Sequence, residues 1–148
     1  MSSLATNPAF VAYAVMLIVL SLNMLVLWAY SGAARAKTKT TPNPEDARTA
    51  TQVVDGDPPD VARVLRAHRN ATDNILPFAL LGFVYVLAGA SGTAAAIVFG
   101  AFTVARLAHS FAYLGGKQPW RSVFYSAGAL ATLALIGLLV RTLVTATA

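Results

Sequence analysis

The chain has 148 residues and a net charge of +5, with 57% hydrophobic and only 11% charged residues. A soluble domain carries about 25% charged residues, so this composition indicates a membrane protein without a separate soluble domain. The absence of cysteine excludes disulfides, thiolate metal sites and a cysteine nucleophile. All six acidic residues lie between positions 45 and 73, and residues 1–34 contain no charged side chain.

Four apolar stretches predict four membrane-spanning helices, at about residues 8–31, 61–87, 93–114 and 122–144. Each is long enough to cross a hydrocarbon core, which takes about 20 helical residues. The first stretch is interpreted as a helix and not as a signal peptide, because no basic residue precedes it and it is too long. We therefore predict an all-α, integral membrane four-helix bundle that forms a single domain over residues 1–148.

The basic residues predict how these helices cross the membrane. They cluster around the first and third loops, whereas the second loop and the N-terminus have none. Because cytoplasmic loops carry an excess of lysine and arginine, loops one and three are predicted to be cytoplasmic, with both termini on the opposite side. The residues are Arg35, Lys37, Lys39, Arg48, Arg63 and Arg66 at the first loop, and Lys117 and Arg121 at the third.

A polar stripe enters the second apolar helix. At 100° per residue its members fall within about 140° of the helix circumference. Ionisable groups at such depth are expensive and are usually retained for function. A structural ion pair between Arg66 and Asp73, and a role for Arg63 as an interfacial anchor, are the alternatives. The stripe comprises Arg63, Arg66, Arg69, Asn70, Asp73 and Asn74.

Polar side chains also occur at the matching ends of the other helices. Arg35 ends the first, and Arg121, Ser122 and Tyr125 begin the fourth. On the third helix, Arg106, His109 and Tyr113 share one face. Since arginines outnumber carboxylates in this layer, it should attract an anion such as a carboxylate. The two histidines of the chain are too few to predict a metal site.

Three motifs in order resemble the MAPEG family, the membrane-associated proteins of eicosanoid and glutathione metabolism. They are NPEDA followed by RVLRAHRNATDNILPF, then AHSFAYLG, then PWRSVFY. Within the family they are most similar to the microsomal glutathione transferase and inducible prostaglandin E synthase branches. The resemblance implies a homotrimer of four-helix bundles in the lipid bilayer, with glutathione as cosubstrate between neighbouring subunits.

The resemblance also implies which residues bind glutathione. Arg121 and Ser122 would lie nearest the thiol as catalytic residues, and Asp46 in the first loop would assist isomerisation. Asp73 replaces a glutamate of the synthase branch, and the loop before Arg121 is one residue shorter. The implied binding residues are Arg35, Arg69, Asn70, Asp73, His109, Tyr113, Arg121, Ser122 and Tyr125.

The expected function is therefore that of a membrane-bound glutathione transferase, which activates the glutathione thiolate for attack on a hydrophobic small-molecule electrophile. One alternative is a glutathione-dependent lipid peroxidase or a prostaglandin-endoperoxide-type isomerase. Another is a non-catalytic lipid-binding scaffold of the same family. A small multidrug transporter is disfavoured because residues 1–34 offer no carboxylate, and no nucleic-acid partner is expected.

Overall fold

Four long helices make up most of the computed structural model, which describes residues 4–47 and 51–147. All four are long and apolar enough to cross a membrane, which confirms the prediction of four such helices. Arg48, used above to predict orientation, lies outside the described residues. The helices are α1 (Pro8–Thr38), α2 (Pro59–Leu87), α3 (Gly92–Leu114) and α4 (Trp120–Thr147).

The ends of α1 follow from local capping. The Asn7 side chain accepts hydrogen bonds from the backbone N–H groups of Ala9 (2.9 Å) and Phe10 (3.4 Å). A proline at the first helical position has the backbone angle that a helix needs. The helix ends at Thr38 rather than at residue 31, because the alanine, arginine and lysine that follow the apolar stretch are strong helix formers.

The described part of the first loop contains short regular elements. Two short parallel strands, β1 (Thr40–Thr41) and β2 (Gln52–Val53), tie its described ends together. A short 3₁₀ turn, Pro44–Asp46, lies between them. Just before α2, an ion pair of 2.7 Å joins Asp57 to Arg35 on α1. The end of the loop is thus fixed to α1.

Aromatic rings form the core between α1, α2 and α3. Phe78 stacks on Phe102 with ring centroids 3.6 Å apart, and Phe99 packs edge-on against Tyr13. Gly82 permits this close approach, because a β-carbon there would lie 3.0 Å from the Phe99 ring. The fourth helix closes the bundle through the buried residues Ala131, Leu135 and Leu139.

Candidate functional site

A cavity of about 240 Å³ lies between α2, α3 and α4, at the end of the bundle that carries the polar layer. Three consecutive helices contribute to it. Six of its seven lining residues belong to the set predicted from the sequence, and Ser126 is the seventh. The lining residues are Asn70, His109, Tyr113, Arg121, Ser122, Tyr125 and Ser126.

Arg106 lies behind this cavity and is only 1% exposed. Its Nη2 donates a 2.6 Å hydrogen bond to Oδ1 of Asn70 and lies 3.4 Å from Nδ1 of His109. Gly128 on α4 faces it, and a β-carbon there would make an ordinary contact, 3.4 Å from Cδ of Arg106. Nε and Nη1 have no hydrogen-bond partner among the described residues. A buried cation without a carboxylate partner is expensive, which indicates retention for the site.

Two tyrosines flank His109 in the cavity wall. Their ring centroids lie 5.5 Å (Tyr113) and 6.1 Å (Tyr125) from the imidazole. The guanidinium carbon of Arg121 lies 4.8 Å above the Tyr113 ring, within the range of a cation–π interaction. This contact holds Arg121 at the cavity, and no carboxylate in residues 4–47 and 51–147 forms an ion pair with it.

Gln118, in the loop between α3 and α4, positions two of the cavity residues. With its amide oriented to satisfy its neighbours, the side-chain oxygen accepts from Nη2 of Arg121 (2.8 Å) and from Nε (3.2 Å). In the same orientation its nitrogen donates to Oγ of Ser122 at 3.3 Å. The loop that is one residue shorter than expected therefore still delivers Arg121 and Ser122 to the same cavity.

Two predicted residues of α2 lie outside this cavity. Arg69 and Asp73 are exposed on the outer face of the helix, beside Arg66. The ion pair considered between Arg66 and Asp73 is absent, and within the described ranges the one ion pair is that of Arg35 with Asp57. Two helical turns, a rise of about 10.5 Å, separate Arg66 from Asp73, so a contact would require both side chains to extend along the helix.

The two remaining predicted residues also have other partners in the single chain. Arg35 is held by Asp57, and both side chains are 26% exposed. Asp46 is exposed in the first loop, where its carboxylate accepts a 2.9 Å hydrogen bond from Nδ2 of Asn43. The single chain therefore assembles the part of the predicted site carried by Asn70, α3 and α4, and leaves the rest at its surface.

Comparison with known proteins supports the resemblance found in the motifs. The MAPEG family matches residues 11–141. Prostaglandin E synthase from Homo sapiens is 41% identical over 128 residues, which cover 84% of each chain. Microsomal glutathione S-transferase 1 from Rattus norvegicus is 34% identical over 140 residues, or 90% of this chain and 88% of that protein. The chain belongs to the MAPEG family.

Proposed function

We propose that the protein is a membrane-bound glutathione transferase that activates the glutathione thiolate for attack on lipophilic electrophiles. The observation that carries this proposal is the cavity in which Arg121 and Ser122 lie side by side. A free thiol with a pKa of about 8.5 is mostly protonated at neutral pH. A guanidinium nearby favours the charged form, and Arg121 forms no ion pair within the described part of the chain.

The remaining residues have binding roles in this proposal. Ser122 donates a hydrogen bond to the sulfur, while Asn70 and Tyr125 hold the peptide. Asp73 pairs with the ammonium of glutathione and Arg69 with a carboxylate, which arginine binds with its bidentate fork. His109 and Tyr113 form the wall, and Arg35 and Asp46 complete the site.

A homotrimer supplies the missing wall. Counting about 20 residues back from Leu87 places the edge of the hydrocarbon layer near residue 68. Arg69 and Asp73 would then be exposed to lipid just inside that edge, at a fraction of the cost of about 3 kcal/mol that a charge has at the centre of a bilayer. Burial against a neighbouring subunit, which contributes its own Arg35 and Asp46, removes that cost and completes the site.

The proposed orientation rests on the distribution of basic residues. Loops one and three, which carry the basic clusters, face the cytoplasm, and both termini lie on the opposite side. The cavity opens at the cytoplasmic end of the helices, where glutathione enters from water. The electrophile, which dissolves in the bilayer, reaches the same end along the apolar helix surfaces. The whole chain acts as one membrane domain.

Replacement of the proposed thiolate-stabilising residue tests this function. In detergent-purified protein, Arg121→Ala is expected to lower the kcat for conjugation of glutathione to an aryl halide by about 100-fold, the scale seen when a stabilising donor is removed. Binding of glutathione should change much less. The matched control is Arg141→Ala, an exposed arginine near the far end of α4. Full turnover by Arg121→Ala would exclude the proposed role.

A second candidate is a glutathione-dependent isomerase or lipid peroxidase. It is favoured by the higher identity to the proteins named prostaglandin E synthase, 41% against 34% for the transferase. Product analysis with a lipid endoperoxide and a lipid hydroperoxide separates the two activities from conjugation. Asp46→Asn should lower isomerisation more than conjugation, because the carboxylate would act on the substrate only during isomerisation. Failure to bind glutathione in calorimetry would instead indicate a non-catalytic scaffold.

A further inference from the structure

A second cavity, of about 380 Å³, lies between α1 and α2 at the same end of the bundle. It shares no lining residue with the cavity that contains Arg121. Its wall combines charged and apolar side chains in comparable amounts. Those that matter here are Tyr30, Lys37, Asp60, Arg63, Val64 and Leu114.

The three charged side chains of this cavity have no ionic partner among the described residues. Asp60 and Arg63 are three residues apart on α2, a spacing that permits contact, yet neither they nor Lys37 form an ion pair in residues 4–47 and 51–147. Arg63 is half-buried and packs against the α3–α4 loop. A β-carbon at Gly116, where φ is +63°, would lie 2.7 Å from Nη1 of Arg63. The cavity thus presents two free cations and one free carboxylate.

Counting helical residues from the apolar end of α2 places this cavity at the level expected for lipid head groups. With the hydrocarbon edge near residue 68, Arg63 lies about 7 Å and Asp60 about 12 Å beyond it along the helix. Tyr30 is half exposed at the same level, as aromatic residues at a membrane interface commonly are. Val64 and Leu114 supply the apolar side that faces the acyl region.

We propose that this cavity binds the head group of a phospholipid that carries a primary ammonium, such as phosphatidylethanolamine. The phosphate lies between Lys37 and Arg63. The ammonium of Lys37 attracts it as a point charge, and the planar guanidinium of Arg63 donates two parallel hydrogen bonds to it. The ammonium donates hydrogen bonds to Asp60. A choline head group has no N–H to donate, and a glycerol head group leaves the carboxylate without a cation. The site therefore selects among phospholipids by the alcohol that is esterified to the phosphate, which is ethanolamine, choline or glycerol.

Lipid titration of the full-length protein, followed by native mass spectrometry, tests the proposal. Phosphatidylethanolamine, phosphatidylcholine and phosphatidylglycerol with identical acyl chains are compared. The wild-type chain should prefer phosphatidylethanolamine about fivefold, the scale of one charge pair at a protein surface. Asp60→Asn should remove this preference and favour phosphatidylglycerol. Lys37→Gln should weaken the binding of both phosphatidylethanolamine and phosphatidylglycerol. The control is Asp55→Asn, an exposed acid of the loop that precedes α2, outside the cavity.

Equal binding of the three lipids by the wild-type chain, or an unchanged preference in Asp60→Asn, would overturn the proposal. Displacement of the lipid by an equal concentration of glycerophosphoethanolamine would assign the site to a soluble ligand and overturn it as well. Asp60→Glu keeps the carboxylate and should keep the preference. If Asp60→Asn does not fold, the Lys37→Gln variant tests the proposal instead. Unchanged lipid binding by Lys37→Gln would contradict the proposed phosphate contact.

Discussion

At the scale of single residues, the guanidinium of Arg106 links the elements of the cavity. Its short hydrogen bond to Asn70 joins α3 to α2, and its contact with His109 orients the next turn of α3. Since no carboxylate neutralises it in the described part of the chain, it adds a positive potential to the cavity. An anionic ligand is thereby favoured before it touches Arg121.

Arg106→Met should therefore weaken glutathione binding by about tenfold, the cost of a hydrogen bond to a charged group. Thermal unfolding in detergent should change little, because replacing a buried cation that has no carboxylate partner with an apolar side chain removes its desolvation cost. Calorimetry of wild-type and variant protein measures the affinity, with Arg66→Gln on the outer face of α2 as the control. An unchanged affinity would show that Arg106 has only a structural role.

The sequence predicted the position of Arg106 near the cavity but not that of Gln118. Arg106 shares a helical face with His109 and Tyr113, so its place near the cavity was readable, although it was not included among the binding residues. Gln118 gave no signal, because its contacts with Arg121 and Ser122 depend on the path of a short loop. Spacing along one helix is visible in a sequence, whereas bonds made across a turn are not.

At the scale of helices, close packing around Gly82 holds α1, α2 and α3 together. Gly82→Ala places a β-carbon 3.0 Å from Phe99 and 3.2 Å from Tyr13, which should lower stability by about 1–3 kcal/mol. Gly137→Ala on α4 is the control, because its β-carbon would meet nothing within 4 Å and alanine is the better helix former. Equal midpoints of thermal unfolding for the two variants would contradict the packing described here.

The helices themselves were predictable from apolar length, since lipid offers backbone groups no partner and only a helix satisfies them within one segment. Their ends were less so. The polar residues that extend α1 to Thr38 were predicted to belong to the loop, because the sequence there has weak amphipathic and capping patterns. The parallel pairing of Thr40–Thr41 with Gln52–Val53 was not predicted either, as two-residue strands carry no periodicity.

At the scale of the whole molecule, the proposed trimer makes the site a property of two chains. Arg35→Ala and Arg121→Ala chains, each inactive alone, should regain about a quarter of the wild-type activity when co-expressed, the statistical share of interfaces with both arginines intact. Conjugation by the purified mixture measures this. If both residues act within one chain, mixing restores nothing, and the shared site is excluded.

The central claim, that Arg121 stabilises a bound thiolate, is tested most directly by the ultraviolet absorbance of the thiolate when glutathione is added to the purified oligomer at neutral pH. The wild-type protein should show the thiolate band in proportion to bound glutathione. Arg121→Gln should bind glutathione without the band, because the charge that favours the thiolate is gone. Glutathione bound as the neutral thiol in the wild-type protein, or an equal band in the variant, would contradict the account.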